Sequence, residues 1–293
     1  MQIESLKIFC DLAETKSFTR TAEINGVTQS AVSQQISALE RHFGARMVER
    51  SRKNFRLTAE GQVLYEFSKQ IIQTYEGLHA KIQELRDIIC GTIRISAIYS
   101  IGLHNLPPYI RRFMQAHPTV NVLVEYRGAH QVYSDVLGNA ADFGLVAYPQ
   151  REPQLEVVHV GKEPLVLICH PQHPLARRKQ IKLKDMSGMK LVCFEGTSPT
   201  GAAIDRLLRA RKVKVERAME FDNVETIKRA VEIDAGVAIV PLSTVTQELE
   251  KHTLAVVQLD EKGTERPWGV IYKRNKVLSP AMKSFLELLK KPL

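Results

Sequence analysis

Gln29, Ser30, Ser33, Gln34 and Ser37 fall within one short stretch, TQSAVSQQISALE (28–40), and none of them carries a charge. Gln offers a donor and an acceptor together and Ser can act as either, so this set can hydrogen-bond the edges of bases. A merely solvated helix face more usually bears Lys and Glu. Val32, Ile36, Leu39 and Phe43 recur at i, i+4, i+7 and i+11 through the same residues. That spacing predicts a helix with one buried stripe, and it puts the polar set on the opposite face.

The neighbouring residues supply the elements that would hold this helix in place. Leu6, Phe9, Leu12 and Ala13 predict a first helix over 4–14. Ser17 can cap a second, FTRTAEI, which carries Thr19 and Arg20 and stops at the turn dipeptide Asn25-Gly26. Thr28 can cap the third. Ala22, small where the helices would cross, Gly26 in the turn and Val32 in the core have the spacing of a helix-turn-helix. From Arg41 to Thr58 there are six cations (Arg41, Arg46, Arg50, Arg52, Lys53, Arg56) against one acid, Glu49. Val48–Arg50 and Phe55–Leu57 are extended in character and flank the polar turn Ser51–Asn54. That predicts a β-wing whose Arg50, Arg52, Lys53 and Arg56 grip phosphates and set the register of the reading helix. Residues 1–58 are therefore expected to be a DNA-binding domain.

Thr58 can cap a long helix over 59–89. Leu64, Ile71, Leu78 and Leu85 recur every seven residues, with Ser68, Tyr75, Ile82 and Ile89 in the alternating position. Such a seam needs a partner, so Leu64, Ile71, Tyr75, Leu78, Ile82 and Leu85 are expected to pair two copies of the chain. A dimer presents two reading helices to one duplex, which calls for a dyad-symmetric site.

After Cys90-Gly91 the pattern becomes an alternation of strands and helices, expected to form a domain over 90–293. TIRISAI, VNVLVEY and DFGLVAY read as strands, with helices over Ser100–His117 and QVYSDVLGN between them. A second series begins near Lys162 with PLVLICH, LVCFE, a helix over 200–211, VERAMEF, a helix over 223–235 and GVAIVP. WGVIYK and a helix over 280–291 are expected to rejoin the first series. This predicts mainly parallel sheets with helices on both faces. It also predicts two lobes around a crevice, lobe I at about 92–161 plus 266–293 and lobe II at about 162–265. Ligands in such sheets sit beyond strand carboxyl ends, near helix starts. Four loops qualify: Ser100-Ile101, Arg127-Gly128-Ala129, the GTSPTG segment with Thr197, Ser198 and Thr200, and Asp222-Asn223. Amides and hydroxyls at helix starts favour a small anion, with Arg127 as a counter-charge. The fold class expected is α+β multidomain: a winged helix-turn-helix, a long linker helix and a two-lobed α/β effector domain.

Composition agrees. The net charge is +9 with a pI near 9.4 in 293 residues, which suits a polyanionic partner. The N-terminus is amphipathic and acidic rather than leader-like, and no apolar run approaches the roughly 18 residues of a membrane span. A cytoplasmic location and no membrane partner are expected. Cys10, Cys90, Cys169 and Cys193 are widely spaced, so neither a disulfide framework nor a zinc site is signalled. No GxSxG, HExxH or Walker sequence occurs, so no catalytic residue, metal or cofactor is expected beyond a small-molecule effector.

The segments SFTRTAE, VTQSAVSQQISALE, FGARMVERSRKNFRLTAEG, GTIRISA, HPQHPLA and GVAIVP, in this order, resemble those of LysR-type transcriptional regulators over essentially the whole chain. The resemblance implies an effector domain of periplasmic-binding-protein type, assembly into homodimers and homotetramers, activation or repression of transcription, and contact with RNA polymerase. It implies effector contacts at Ser100, Gly128 and the Thr197–Thr200 loop. Two positions depart from the pattern. Gly128 stands where members that respond to aromatic acids commonly carry a hydroxyl, and Gln34 stands where Arg is frequent in the reading helix. Two other readings remain beside it. One is a redox-responsive regulator using Cys169 and Cys193, although a small buried hydrophobe explains each cysteine in its apolar strand. The other is a solute-binding protein with no DNA role, which would leave residues 1–58 without a purpose. Cys169, His170 and His173 could suggest a metal, but the turn Pro171–Pro174 accounts for the histidines.

Overall fold

The computed structural model describes residues 2–51, 54–84 and 89–291. The chain divides into two compact units, Met1–Asp87 and Ile88–Leu293.

The first unit opens with three helices, α1 (Ile3–Thr15), α2 (Phe18–Asn25) and α3 (Gln29–Phe43). Gly26 takes φ +63° after α2, the left-handed conformation that the tight turn into α3 requires. Leu6, Phe9, Leu12, Ala22, Val32, Ile36 and Leu39 close one core. Phe43 does not join it; it is 46% exposed, with its ring edge-on to His42. It is the last residue of α3, and the chain leaves through Gly44 at φ +65° before the stripe can turn inward again. Strands β1 (Val48–Ser51) and β2 (Asn54–Leu57) pair antiparallel, Val48 with Leu57 and Ser51 with Asn54, as the expected wing. Its tip residues Arg52 and Lys53 lie outside the described residues.

Helix α4 (Ala59–Glu84) starts at Thr58, whose Oγ1 accepts the Gly61 N–H at 2.9 Å. A Cβ on Gly61 would stand 2.0 Å from the Met47 carbonyl oxygen, so only glycine lets α4 lie this close to the wing. The apolar seam of α4 divides. Leu64, Tyr65 and Ile72 pack on the core of their own unit, and Ser68 is fully buried. Val63, Phe67, Ile71, Tyr75, Leu78 and Ile82 stay exposed. The expected seam thus needs correcting at Leu64, which packs, partly buried, on the core of its own unit. Leu85 lies outside the described residues.

The second unit is built on strands β3 (Gly91–Ile98), β4 (Val120–Arg127), β5 (Phe143–Ala147), β6 (Leu155–Cys169), β7 (Gln180–Ile181), β8 (Lys190–Phe194), β9 (Glu216–Phe221), β10 (Ala238–Pro241), β11 (Ala255–Leu259) and β12 (Glu265–Lys273). Its helices are α5 (Pro107–Ala116), α6 (Ala129–Leu137), α7 (Pro199–Ala210), α8 (Val224–Glu232), α9 (Thr246–Glu250) and α10 (Pro280–Lys290). One path of hydrogen-bonded strands runs β4-β3-β5-β12-β6-β11-β7, with β10 also on β6. Strand β6 serves both lobes. Its first half pairs with β12 over a core that includes Ile93, Phe143, Val270 and Phe285. Its second half pairs with β10 and β11 over a core that includes Leu167, Ile227 and Val257.

The sheets are mixed rather than mainly parallel. The βα units pair parallel, β3 with β4 and β5 and β8 with β9, whereas β6 pairs antiparallel with β12, β10 and β11. The chain crosses to lobe II along β6 and returns along β12, and a segment that goes and comes back beside itself must run antiparallel. The helix expected over Ser100–His117 is broken as well. A π-helical turn spans Ile101–Asn105, with the Leu106 N–H bonded to the Ile101 carbonyl at 2.9 Å, and α5 begins at Pro107. Pro107 and Pro108 lack the N–H groups that would continue the α ladder, so the helix restarts with them in its first turn. Among the described residues no helix is long and apolar enough to cross a membrane.

Candidate functional site

In the first unit, the polar set occupies the side of α3 away from the core. Gln29, Ser30 and Gln34 are exposed, Ser33 and Ser37 half-buried, and Thr19, Arg20 and Arg56 exposed beside them in the sequence motifs. Ser17 and Thr28 act locally as caps: Ser17 Oγ accepts the Arg20 N–H at 3.3 Å and Thr28 Oγ1 the Ala31 N–H at 3.2 Å. Glu40, near the end of α3, accepts the Met47 and Val48 N–H groups at 2.9 and 3.3 Å. One carboxylate therefore fixes the start of the wing to α3. Arg50 lies within β1.

In the second unit, a cavity of about 300 Å³ opens between the lobes. Lobe I contributes Ile98, Tyr99, Ser100 and Arg127–Gln131; lobe II contributes Phe194, Glu195, Thr197–Thr200 and Asp222–Val224. Ser100, Arg127, Gly128, Ala129, Thr197, Ser198, Thr200 and Asn223, read from four separate loops, meet on this wall. Ile101 does not. It is fully buried in the core of lobe I, at the first position of the π turn.

The helix starts at the cavity differ in one respect. Ser198 caps α7 by accepting the Gly201 N–H at 3.4 Å, and Asn223 caps α8 by accepting the Thr226 N–H at 3.0 Å. Helix α6 follows Gly128, which has no side chain to offer, and no side-chain cap bond forms there. Its first amides and the positive end of its dipole face a ligand space without a built-in acceptor. A Cβ on Gly128 would meet nothing within 4 Å. Arg127, the expected counter-charge, is already engaged: Nη2 bonds Glu125 at 2.5 Å and Nε lies 3.8 Å from Asp135. Glu195 and Asp222 on the lobe II wall are both exposed.

Beneath Ser100 lies a buried network that the sequence reading missed. Arg266, at the start of β12, is fully buried and donates from Nη1 to Glu163 Oε1 at 2.9 Å and from Nη2 to Ser100 Oγ at 2.6 Å. Glu163, midway along β6, accepts the Ser243 hydroxyl at 2.5 Å, and Ser243 lies 3.4 Å from Asn105 Oδ1. Burial lowers the Arg266 pKa, while Glu163 opposes the fall. A cavity-lining hydroxyl is thus wired to both strands that join the lobes. Because Ser100 Oγ accepts from Arg266, its own hydrogen is available to a ligand. The signal in the sequence was a charged pair at the edge of each apolar strand, Lys162-Glu163 in VGKEPLVLIC and Glu265-Arg266 in ERPWGVIY. A second clasp joins His104 of the π turn to Glu225 of α8 at 2.8 Å.

Cys169 and Cys193 are buried in their strands. Burial, reinforced by Asp234, pushes the Cys169 thiol up to about 11, and burial also raises that of Cys193. Both therefore favour the unreactive thiol form. His170 Nδ1 accepts the Gln172 N–H and His173 Nδ1 the Leu175 N–H, each at 3.2 Å, so both histidines close the turn.

A winged helix-turn-helix joined in one chain to a two-lobed module with a ligand-sized crevice defines a ligand-responsive DNA-binding protein. The chain belongs to the LysR family of transcriptional regulators: residues 3–62 match the bacterial regulatory helix-turn-helix protein, lysR family, and residues 87–292 match the LysR substrate binding domain. It is 28% identical to a RuBisCO operon transcriptional regulator of Allochromatium vinosum, over 99% of this chain and 95% of the relative. Its fold matches full-length OxyR from Pseudomonas aeruginosa with a TM-score of 0.76 at 21% identity, covering 99% of this chain and 93% of that one. It also matches the Synechocystis PCC6803 CcmR regulatory domain in complex with 2-PG, with a TM-score of 0.63 at 26% identity, covering 68% of this chain and 96% of that one.

Proposed function

We propose that this regulator is switched by a small polar metabolite whose anionic group caps α6 in the inter-lobe cavity. The carrying observation is the convergence of four loops on one cavity where one of the helix starts, at Gly128, has no cap of its own. The missing hydroxyl at position 128 leaves space for a bulkier anion than an aromatic carboxylate would need. The exposed carboxylates of Glu195 and Asp222 suit a ligand that also carries hydroxyl or amino donors. The CcmR regulatory domain, a structural neighbour, has been described in complex with 2-PG. Two copies pair through the exposed apolar side of α4, and two α3 helices read a dyad-symmetric site through Gln29, Ser33 and Gln34, with the wing on phosphates. The protein acts in the cytoplasm and carries out no catalytic step of its own.

The ligand can act only by binding two lobe arrangements unequally. Ser100 is the contact through which that preference reaches Arg266, Glu163 and the crossing strands. The test is a thermal-shift screen of metabolite anions on the full-length protein and on Gly128→Asp. A carboxylate at 128 would cap α6 itself and repel an anion. The expected result is a rise of roughly 5 °C for at least one anion at saturation with the wild type and none with Gly128→Asp. An anion that stabilises both proteins equally would place the site elsewhere.

A further inference from the structure

Lobe II carries a second cationic surface, outside the wing and outside the cavity. Between His173 and Lys190 the chain runs through a 3₁₀ turn (Pro174–Arg177), the short strand β7 and a second 3₁₀ turn (Leu183–Met186). Arg177, Arg178, Lys179, Lys182 and Lys184 fall within eight residues that contain no acid, and all five are exposed. Among the described residues none of the five makes an ion pair. Two acids lie beside the segment: the Asp185 carboxylate accepts the Lys182 backbone N–H at 3.2 Å, and the Asp260 N–H bonds the Ile181 carbonyl at 2.8 Å.

The segment is anchored. Leu175, Ile181, Leu183 and Met186 are buried in the lobe II core, so each cation projects from a fixed backbone rather than from a loose loop. Its exposed side chains include no aromatic and no large aliphatic group. A protein-binding patch usually offers such groups at its centre, whereas a phosphate backbone asks only for charge. Lysines also guard sheet edges against stray pairing, and β7 is an edge. Yet β7 consists of Gln180 and Ile181 alone, and all five cations lie outside it.

We infer that the Arg177–Lys184 edge of lobe II binds the phosphate backbone of DNA, as a second electrostatic contact that adds to the winged helix without reading sequence. A chain already held on DNA by its N-terminal unit meets further phosphates at high effective concentration, so a contact weak by itself still contributes. The contact predicts that DNA longer than the operator core is bound more tightly, with an added salt dependence.

The test uses the full-length protein and a 60-base-pair duplex of mixed sequence, with affinity followed against salt. The variant replaces Arg177, Arg178, Lys179, Lys182 and Lys184 by Gln. The control replaces Arg111, Arg112 and Lys251, which are also exposed, by Gln. Each phosphate contact contributes roughly 0.9 to the slope of log K against log salt, so the variant's slope should be shallower by about 2–4. The control should lose far less per charge removed. Arg177→Lys with Arg178→Lys, the other three cations kept, should leave the wild-type slope, because the contact depends on charge. Circular dichroism checks that the Gln variant keeps its fold; should it not, the pair Lys182→Gln and Lys184→Gln carries the test, with a loss of about 1–2. A slope that matches the control per charge overturns the inference. So does unchanged DNA binding with loss of transcription activation, which would assign the surface to an acidic protein partner.

Discussion

Helix α3 and the inter-lobe cavity, the two candidate recognition sites, are assembled in opposite ways. The reading face of α3 comes from nine consecutive residues, 29–37, on one regular helix. The cavity wall comes from four chain segments spread over more than a hundred residues, held in register by β6, β12 and a buried ion pair. A site of the first kind depends on its own helix and little else. A site of the second kind depends on groups that never touch the ligand. The two should therefore fail independently and for different reasons.

The strongest way to break this contrast is Arg266→Met. It would leave the Glu163 carboxylate buried without its cation, a loss of about 3–5 kcal/mol. The melting transition of the second unit should fall by roughly 10 °C in calorimetry, and effector response should disappear with it. Sequence discrimination by α3 should be unchanged. If discrimination fell in parallel, the independence of the two sites would be wrong.

The converse variant, Gln29→Ala with Gln34→Ala, should leave melting within a degree or so of wild type. It should remove about 1–3 kcal/mol of preference for the operator for each base that is no longer read. Competition between operator and random duplex measures it. Its salt slope should stay constant, whereas Arg56→Gln should weaken binding to every sequence and lower the slope by about 1. Retained discrimination in the double variant would move the reading face elsewhere on the first unit.

The same contrast explains what could be read from the sequence alone. Ser17, Gly26, Thr28 and Thr58 announce helix boundaries by local chemistry, so α2, α3 and the start of α4 were legible nearly residue by residue; the far end of α4 was not, because Ile89, read as its last seam position, is not helical and packs on the lobe I core. Phe43 and Leu64 misled because periodicity shows that a stripe is apolar without showing what covers it. In the second unit the loops that line the cavity were legible through topology, since they follow strands and begin helices. Ile101 was not, because its place in a π turn and in the lobe I core is not visible in the helical pattern. Nor was the pairing of Arg266 with Glu163, which are 103 residues apart and meet only because the chain crosses the lobes twice. Arg127 shows the same limit: its charge was visible, but not the two carboxylates that already answer it.

The smallest expected effect concerns the outer clasp between His104 and Glu225. Burial raises the Glu225 pKa, but hydrogen bonds from His104 and Lys228 outweigh it and hold the carboxyl at about 2, against 4.5 for the free group. A depressed carboxylate stabilises the folded form above its unfolded pKa. That stability is lost as pH falls from about 4.5 toward 2, because protons bind the unfolded chain first. The Glu225 side chain is 34% exposed, so solvent screening limits the term to about 1 kcal/mol. Glu225→Gln should lower the melting temperature of the second unit slightly at pH 6 and flatten its decline between pH 4.5 and 2. Lys228 would keep its pair with Glu248 at 2.9 Å, so α8 itself should remain folded. Since Asn223 and Val224 beside the clasp line the cavity, Glu225→Gln should also loosen effector binding while leaving affinity for DNA alone unchanged. An unaltered acid limb would mean that the lobes are held by the Arg266 network without help from this edge, and that the cavity is less distributed than its wall suggests.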